Sequence, residues 1–208
     1  MTEPNEIREE NNKRVKDVIE RLRIKNFEDA VAIIPSMLTK KELEIDDSAY
    51  TCADQETYFE SGVNRFLMYD NLDKENPFSI WIFSFAPHQK TKIHDHKYEC
   101  SVTVLSQHPI TEKFFLPTGQ LSKTSVPLAR RINSIDRYRF HCNWDRLSGV
   151  EAHQLKNTKH LGEGAGITMH IYHMEAHLVK EGIKLDNRNL NIIYQKEDKN
   201  EEINSFSP

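Results

Sequence analysis

Apolar residues in the first part of the chain recur at helical spacing. Over residues 5–24, Val15, Val18, Ile19 and Leu22 form one stripe on an otherwise charged segment, which predicts an amphipathic helix lying on a larger body. A second helix is predicted to open at Asn26, a side chain suited to an N-cap, and to bury Phe27, Ala30, Val31 and Ile34 until Pro35 ends it. Thr39-Lys40-Lys41-Glu42 matches a capping box and predicts a third helical segment containing Leu43. Amphipathic helices mostly serve to bury one face, so all three read as structural cladding.

The period changes after the polar, turn-rich residues 71–77. Phe78-Ser79-Ile80-Trp81-Ile82-Phe83-Ser84-Phe85 is dense in aromatic and β-branched side chains and predicts a buried strand. Short apolar runs follow at residues 101–105, 112–116, 132–135, 138–140 and 166–174, with 191–194 as a further candidate. Turn residues such as Pro109, Pro117-Thr118-Gly119 and Gly162-Glu163-Gly164 separate them. Repeated short strands with this punctuation predict an antiparallel β-sandwich or barrel of jelly-roll type. The expected organisation is one structural domain: helical cladding over residues 1–77, a β-barrel over 78–195 and a mobile polar tail over 196–208.

Composition narrows the partners. A chain of 208 residues fits one domain with a sizeable core. Its net charge of -4, without a dense Lys/Arg block, argues against nucleic acid and membrane surfaces and favours a small-molecule partner. The polar N-terminus and the lack of a membrane-length apolar run lead us to expect a cytoplasmic protein, most simply a monomer. Three cysteines, Cys52, Cys100 and Cys142, are an odd number at no zinc-site spacing, so reduced thiols are expected.

Candidate chemistry centres on Lys92-Ile93-His94-Asp95-His96-Lys97-Tyr98-Glu99-Cys100. In an extended segment His94 and His96 share a face, and two imidazoles on one face make half of a metal site. Ten histidines in the chain also place some pairs two apart by chance, so the pair alone leaves a surface reading open. In Gly166-Ile167-Thr168-Met169-His170-Ile171-Tyr172-His173-Met174, Ile167, Met169 and Ile171 alternate with Thr168, His170 and Tyr172. That polar set faces either an internal cavity or solvent, and alternation does not choose between them. A third histidine, His153, lies on the strand-like segment 150–157 just upstream. His173 and His177 would form a zinc pair only in a helix, which the strand pattern opposes; His141-Cys142 point to opposite faces of a strand; His88, His108 and His160 read as loop residues.

Taken together and in this order, Ile93-His94-Asp95-His96, Cys100 to Leu105, Ala152 to Asn157 and His170-Ile171-Tyr172 resemble the two motif regions of the cysteine dioxygenase family of cupins, over roughly residues 63–174. The resemblance implies a cupin-type β-barrel and Fe(II) held by His94, His96 and His153. It implies Tyr172 in the pocket with its hydroxyl near the substrate, His170 orienting that hydroxyl, and Cys100 as the cysteine that some members join to the tyrosine. Val63-Asn64-Arg65-Phe66-Leu67 resembles the segment whose arginine pairs with the substrate carboxylate, here Arg65; without the resemblance, an ion pair of Arg65 with Glu60 or Asp70 would be the simpler reading. The chain departs from the family pattern at Ala86-Pro87-His88-Gln89-Lys90, where a glycine-rich turn is usual. It departs again at Val63, where a pocket tyrosine is common, and at His173-Met174-Glu175, which replaces a Ser-Pro element. The activity implied is addition of O2 to the sulfur of L-cysteine, giving cysteine sulfinate. The alternatives are 3-mercaptopropionate or another small thiol as substrate, a cupin that binds metal without turnover, or a zinc or nickel cupin with isomerase-like chemistry.

Overall fold

In the computed structural model, which describes residues 3–50, 63–91, 100–106, 110–115, 121–127, 138–140, 152–158 and 165–179, the apolar stripes of the N-terminal region do form helices. Helix α1 (Pro4–Leu22) buries Val15, Val18 and Ile19. Leu22, the last residue of the expected stripe, stays 43% exposed, because Arg23 takes the left-handed conformation of a C-cap and the helix closes there. Helix α2 (Phe27–Lys40) is capped as expected, with the Asn26 side chain accepting from the Asp29 N–H at 2.8 Å.

Pro35 does not end α2 but lies inside it. An interior proline costs about 3 kcal/mol, and the buried Met37 and Leu38 beyond it, at about 1.5–3 kcal/mol each, offset that cost. The Thr39 hydroxyl donates to the Pro35 carbonyl at 2.9 Å, one of the acceptors near the proline, and Lys41 closes the helix in the left-handed region. Thr39 is therefore in the last turn of α2, and the expected third helix is replaced by a 3-10 turn over Asp47–Tyr50.

The strands are β1 (Val63–Asn71), β2 (Phe78–Phe85), β3 (Cys100–Val104), β4 (Ile110–Phe115), β5 (Leu121–Pro127), β6 (Tyr138–Phe140), β7 (Ala152–Asn157) and β8 (Gly166–Tyr172). One sheet has the order β1-β2-β8-β3-β6 and the other β5-β4-β7, with antiparallel pairing throughout. The helix-clad, two-sheet antiparallel architecture expected from the sequence is thus present. Two strands were not foreseen. Strand β1 falls within the part read as helical cladding, its alternation broken by an irregularity between Leu67 and Tyr69, and β5 is too polar to announce itself. Residues 132–135, 191–194 and 196–208 lie outside the described residues.

The larger sheet has two buried faces. Phe66, Ile80, Ile82, Ile167, Met169 and Ile171 pack against Val15, Val18, Phe27, Ala30 and Ile34 of the helices. The opposite face brings Val63, Trp81, Phe83, Phe85, Val102 and Val104 against Ile110 and Leu155 of the second sheet. At one end the sheets approach so closely that a Cβ at Gly166 would overlap the Ile110 side chain, and Asn157 Nδ2 donates to the Phe85 carbonyl at 3.0 Å. Among the described residues no helix is long and apolar enough to cross a membrane.

Candidate active site between the sheets

Every residue of β8 is buried, which settles where its polar set points. Ile167, Met169 and Ile171 belong to the helix-facing core, so Thr168, His170 and Tyr172 face the space between the sheets, where they are 0%, 2% and 4% exposed. Strand register assembles their neighbours. Across β3, Cys100 is opposite Tyr172, Val102 opposite His170 and Val104 opposite Thr168. Across β2, Ser79 is opposite Tyr172, Trp81 opposite His170 and Phe83 opposite Thr168. One strand further, Arg65 is opposite Phe83. Four adjacent strands therefore contribute Arg65, Phe83, His170 and Cys100 to a single face.

The side chains form a continuous set of contacts. Thr168 Oγ1 lies 2.8 Å from His170 Nε2, and Tyr172 OH lies 3.4 Å from His170 Nδ1. The Cys100 Sγ is 4.0 Å from the same Nδ1. The thiol and the phenol thus flank one ring nitrogen. With Thr168 donating to Nε2, a neutral His170 carries its proton on Nδ1 and donates it to the phenol oxygen. With Nε2–H donating to Thr168, Nδ1 accepts the phenol proton instead. Either way the threonine decides what His170 does to Tyr172. The His170 imidazole stacks on Phe83 with centroids 3.9 Å apart and planes 21° apart, and the Arg65 guanidinium carbon lies 4.8 Å from the Phe83 centroid.

Of the three histidines read as ligands, His94 and His96 lie outside the described residues, and His153 stands on β7 opposite Phe114. Strand alternation puts position 153 on the same face of β7 as Leu155, which belongs to the core between the sheets. The chain approaching His94 is fastened to β7. Thr91 N–H donates to the Leu155 carbonyl at 2.9 Å, Leu155 N–H donates to Thr91 Oγ1 at 3.0 Å, and Gln154 Nε2 donates to the Thr91 carbonyl at 2.9 Å. It is next described at Cys100, opposite Tyr172. Among the described residues no group of three His, Cys, Asp or Glu side chains is placed to hold a metal.

Other candidates are placed elsewhere. His173 leaves the strand and stacks on Phe27 at 4.8 Å and 4°, while His177 pairs with Glu175 at 3.1 Å, so the two do not form a zinc pair. His88 sits in a turn with φ 64°. His108, His141, Cys142 and His160 lie outside the described residues. Asp70 accepts from the Ala176 N–H at 2.9 Å near the far end of β1, where it tethers the segment after β8. Ser79 extends the same tether: its hydroxyl donates to the Met174 carbonyl at 2.8 Å and accepts from Trp81 Nε1 at 3.0 Å. Sequence reasoning did not single out Phe83, Trp81 or Ser79 individually, because each matters through a cross-strand neighbour rather than through its place in the chain.

Glu112 was also missed. It is fully buried on β4, opposite Leu155, and burial pushes its carboxyl pKa from the ordinary 4.5 up to about 8. Between those values the folded chain keeps a proton that the unfolded chain releases, so stability falls as pH rises from 4.5 to 8. Glu112→Gln abolishes the ionisation and keeps the shape. The variant is expected to gain on wild type as pH rises through that window, by up to about 1.4 kcal/mol for every pH step of one, with the advantage vanishing near pH 4. Urea unfolding midpoints of both proteins measured from pH 4 to 8 check this.

No family model matches the sequence, and no curated protein matches it. Solved structures to which it is similar include a protein of Shewanella oneidensis, with TM-score 0.42, 10% identity, and coverage of 57% of this chain and 71% of that one. A cupin domain of Bordetella pertussis aligns with TM-score 0.35 and 19% identity, covering 55% of this chain and 95% of that one. A Cupin 2 conserved barrel domain protein of Salinispora arenicola aligns with TM-score 0.39 and 11% identity, covering 62% and 91%. The strand order and the two-faced burial described above are those of a helix-clad antiparallel β-sandwich, the architecture expected from the sequence.

Proposed function

We propose that the chain is a non-haem Fe(II) thiol dioxygenase that adds both atoms of O2 to the sulfur of L-cysteine, giving cysteine sulfinate. The observation that carries this reading is the buried Thr168, His170 and Tyr172 chain with Cys100 directly opposite the tyrosine and Arg65 on the same face. His94, His96 and His153 would hold the iron. The donor set fits: three imidazoles suit a divalent iron, position 153 shares the Leu155 face, and the segment carrying His94 and His96 departs from Thr91 beside β7 and returns at Cys100. Ferrous iron, when bound there, would supply the redox chemistry that lets a thiolate react with dioxygen.

The chain's own residues account for selectivity and proton handling. Arg65 offers a planar, permanently charged fork that a substrate carboxylate can engage through two hydrogen bonds. Tyr172 presents a phenol whose proton His170 gives or takes at Nδ1, with Thr168 fixing the other nitrogen. Burial of all three keeps water from competing for those protons. The stoichiometry closes without a co-reductant, because conversion of R–SH to R–SO2H takes both oxygens of O2 and supplies all four electrons from sulfur. Iron-loaded protein is expected to consume oxygen with L-cysteine and release the sulfinate in equal amounts. Turnover with 3-mercaptopropionate in place of cysteine would move the substrate assignment. No uptake with any small thiol would leave a metal-binding module.

Cys100 and Tyr172 add a covalent expectation. Their Cα positions are partners across β3 and β8, and both side chains lie against His170 Nδ1. Joining the Cys100 sulfur to the ring carbon beside the phenol hydroxyl breaks the S–H and ring C–H bonds, and the two hydrogen atoms lost reduce one O2 to H2O2. Intact mass after turnover is expected to show a species lighter by two hydrogens, absent in both Cys100→Ala and Tyr172→Phe. An unchanged mass after many turnovers would leave Cys100 as packing.

A further inference from the structure

We propose that Phe83 is a positioning residue that ties the carboxylate-binding guanidinium of Arg65 to the His170 and Tyr172 pair, a role that rests on the thiol dioxygenase reading. Strand β2 lies between β1 and β8, and Phe83 is opposite Arg65 on one side and Thr168 on the other. Its ring is 3% exposed. The His170 imidazole covers one face, at 3.9 Å and 21°. The Arg65 guanidinium carbon lies over the same ring, 4.8 Å from its centroid, and reaches it from β1 while His170 reaches it from β8. Guanidinium, phenyl and imidazole thus form one contiguous stack of contacts centred on Phe83. Tyr172 completes it, with its ring centroid 6.3 Å from Phe83 and 5.8 Å from His170.

The stack achieves what an aliphatic side chain of similar volume would not. An arginine side chain carries about 2 kcal/mol of rotamer entropy, and a flat ring beneath the guanidinium restricts it without using the hydrogen-bonding fork. Stacking on the same ring fixes the plane of the imidazole, and with it the direction of Nδ1 toward the Tyr172 hydroxyl. One side chain therefore sets the distance between the group that anchors the substrate and the group that handles its proton. A leucine at 83 fills space but has no faces.

The test uses the iron-loaded full chain carrying Phe83→Leu or Phe83→Tyr, assayed with cysteine and with cysteamine, which has no carboxylate. Phe83→Leu is expected to raise KM for cysteine roughly 5- to 30-fold, to leave KM for cysteamine unchanged, and to lower kcat for both. Phe83→Tyr, which keeps both faces, should restore the cysteine KM. Equal KM changes for the two thiols, or no change for cysteine, would overturn the role. A readout independent of turnover is a double-mutant cycle in urea between Phe83→Leu and Arg65→Met. Each single change removes the same contact, so the double variant should lose less stability than the sum of the two. Strict additivity would overturn the stack itself, whereas absence of oxygen uptake by the wild-type protein would overturn the thiol reading and the kinetic role with it.

Discussion

Protein carrying His153→Ala is expected to purify without iron even when grown and reconstituted in excess ferrous salt. The same loss is expected for His94→Ala and for His96→Ala. Under the proposed assignment each change removes one of three protein donors, and the effect should exceed the roughly 10- to 100-fold loss of affinity that follows removal of a partner outside the ligand set. His173→Ala is the control: its imidazole stacks on Phe27 at 4.8 Å, on the helix side of the sheet, and iron content should be unchanged. Elemental analysis of the four purified variants reads the outcome directly, with no dependence on activity. Stoichiometric iron in the His153 variant would remove β7 from the ligand set, and the segment tethered to it at Thr91 would then need another partner.

Arg65→Ala is expected to raise KM for cysteine by about 10- to 150-fold, the equivalent of about 1.5–3 kcal/mol for one charge-assisted contact. Cysteamine has no carboxylate, so its KM should not move. Steady-state oxygen consumption with both thiols checks the split. Of the two partners in the competing view, a surface ion pair of Arg65 with Glu60 or Asp70, Glu60 lies outside the described residues and Asp70 sits badly with the register. Arg65 pairs with Phe83 and points its guanidinium over that ring, whereas Asp70 pairs with Ser79 and accepts from the Ala176 N–H. Equal effects on the two thiols would nevertheless make Arg65 a packing residue.

How much of this was legible in the chain depends on whether the signal was local. The alternation of Ile167, Met169 and Ile171 with Thr168, His170 and Tyr172 is a period-two pattern, and it identified β8 and its polar face correctly. Which way that face points was not local: it required the helices on the other side, whose Phe27, Ala30 and Ile34 claim the isoleucines. Pro35 misled because a breaker was weighed without the buried Met37 and Leu38 that follow it. Strand β1 was hidden by the irregularity between Leu67 and Tyr69, which shifts the alternation midway. His170 and Tyr172 stood out by alternation, whereas Arg65 and Cys100 were singled out as site candidates only through the family resemblance. Phe83 and Glu112 were not singled out, since one touches neighbours on two flanking strands and the other is an ordinary charged residue until the packing of the two sheets buries it.

The most direct measurement of the central claim is the mass of the product formed by iron-loaded protein from L-cysteine under 18O2. Cysteine sulfinate carrying two 18O atoms, formed in step with oxygen uptake and lost in His153→Ala, is the predicted result. A sulfinate whose oxygen comes from water, or no sulfinate with cysteine or any other small thiol, would contradict it.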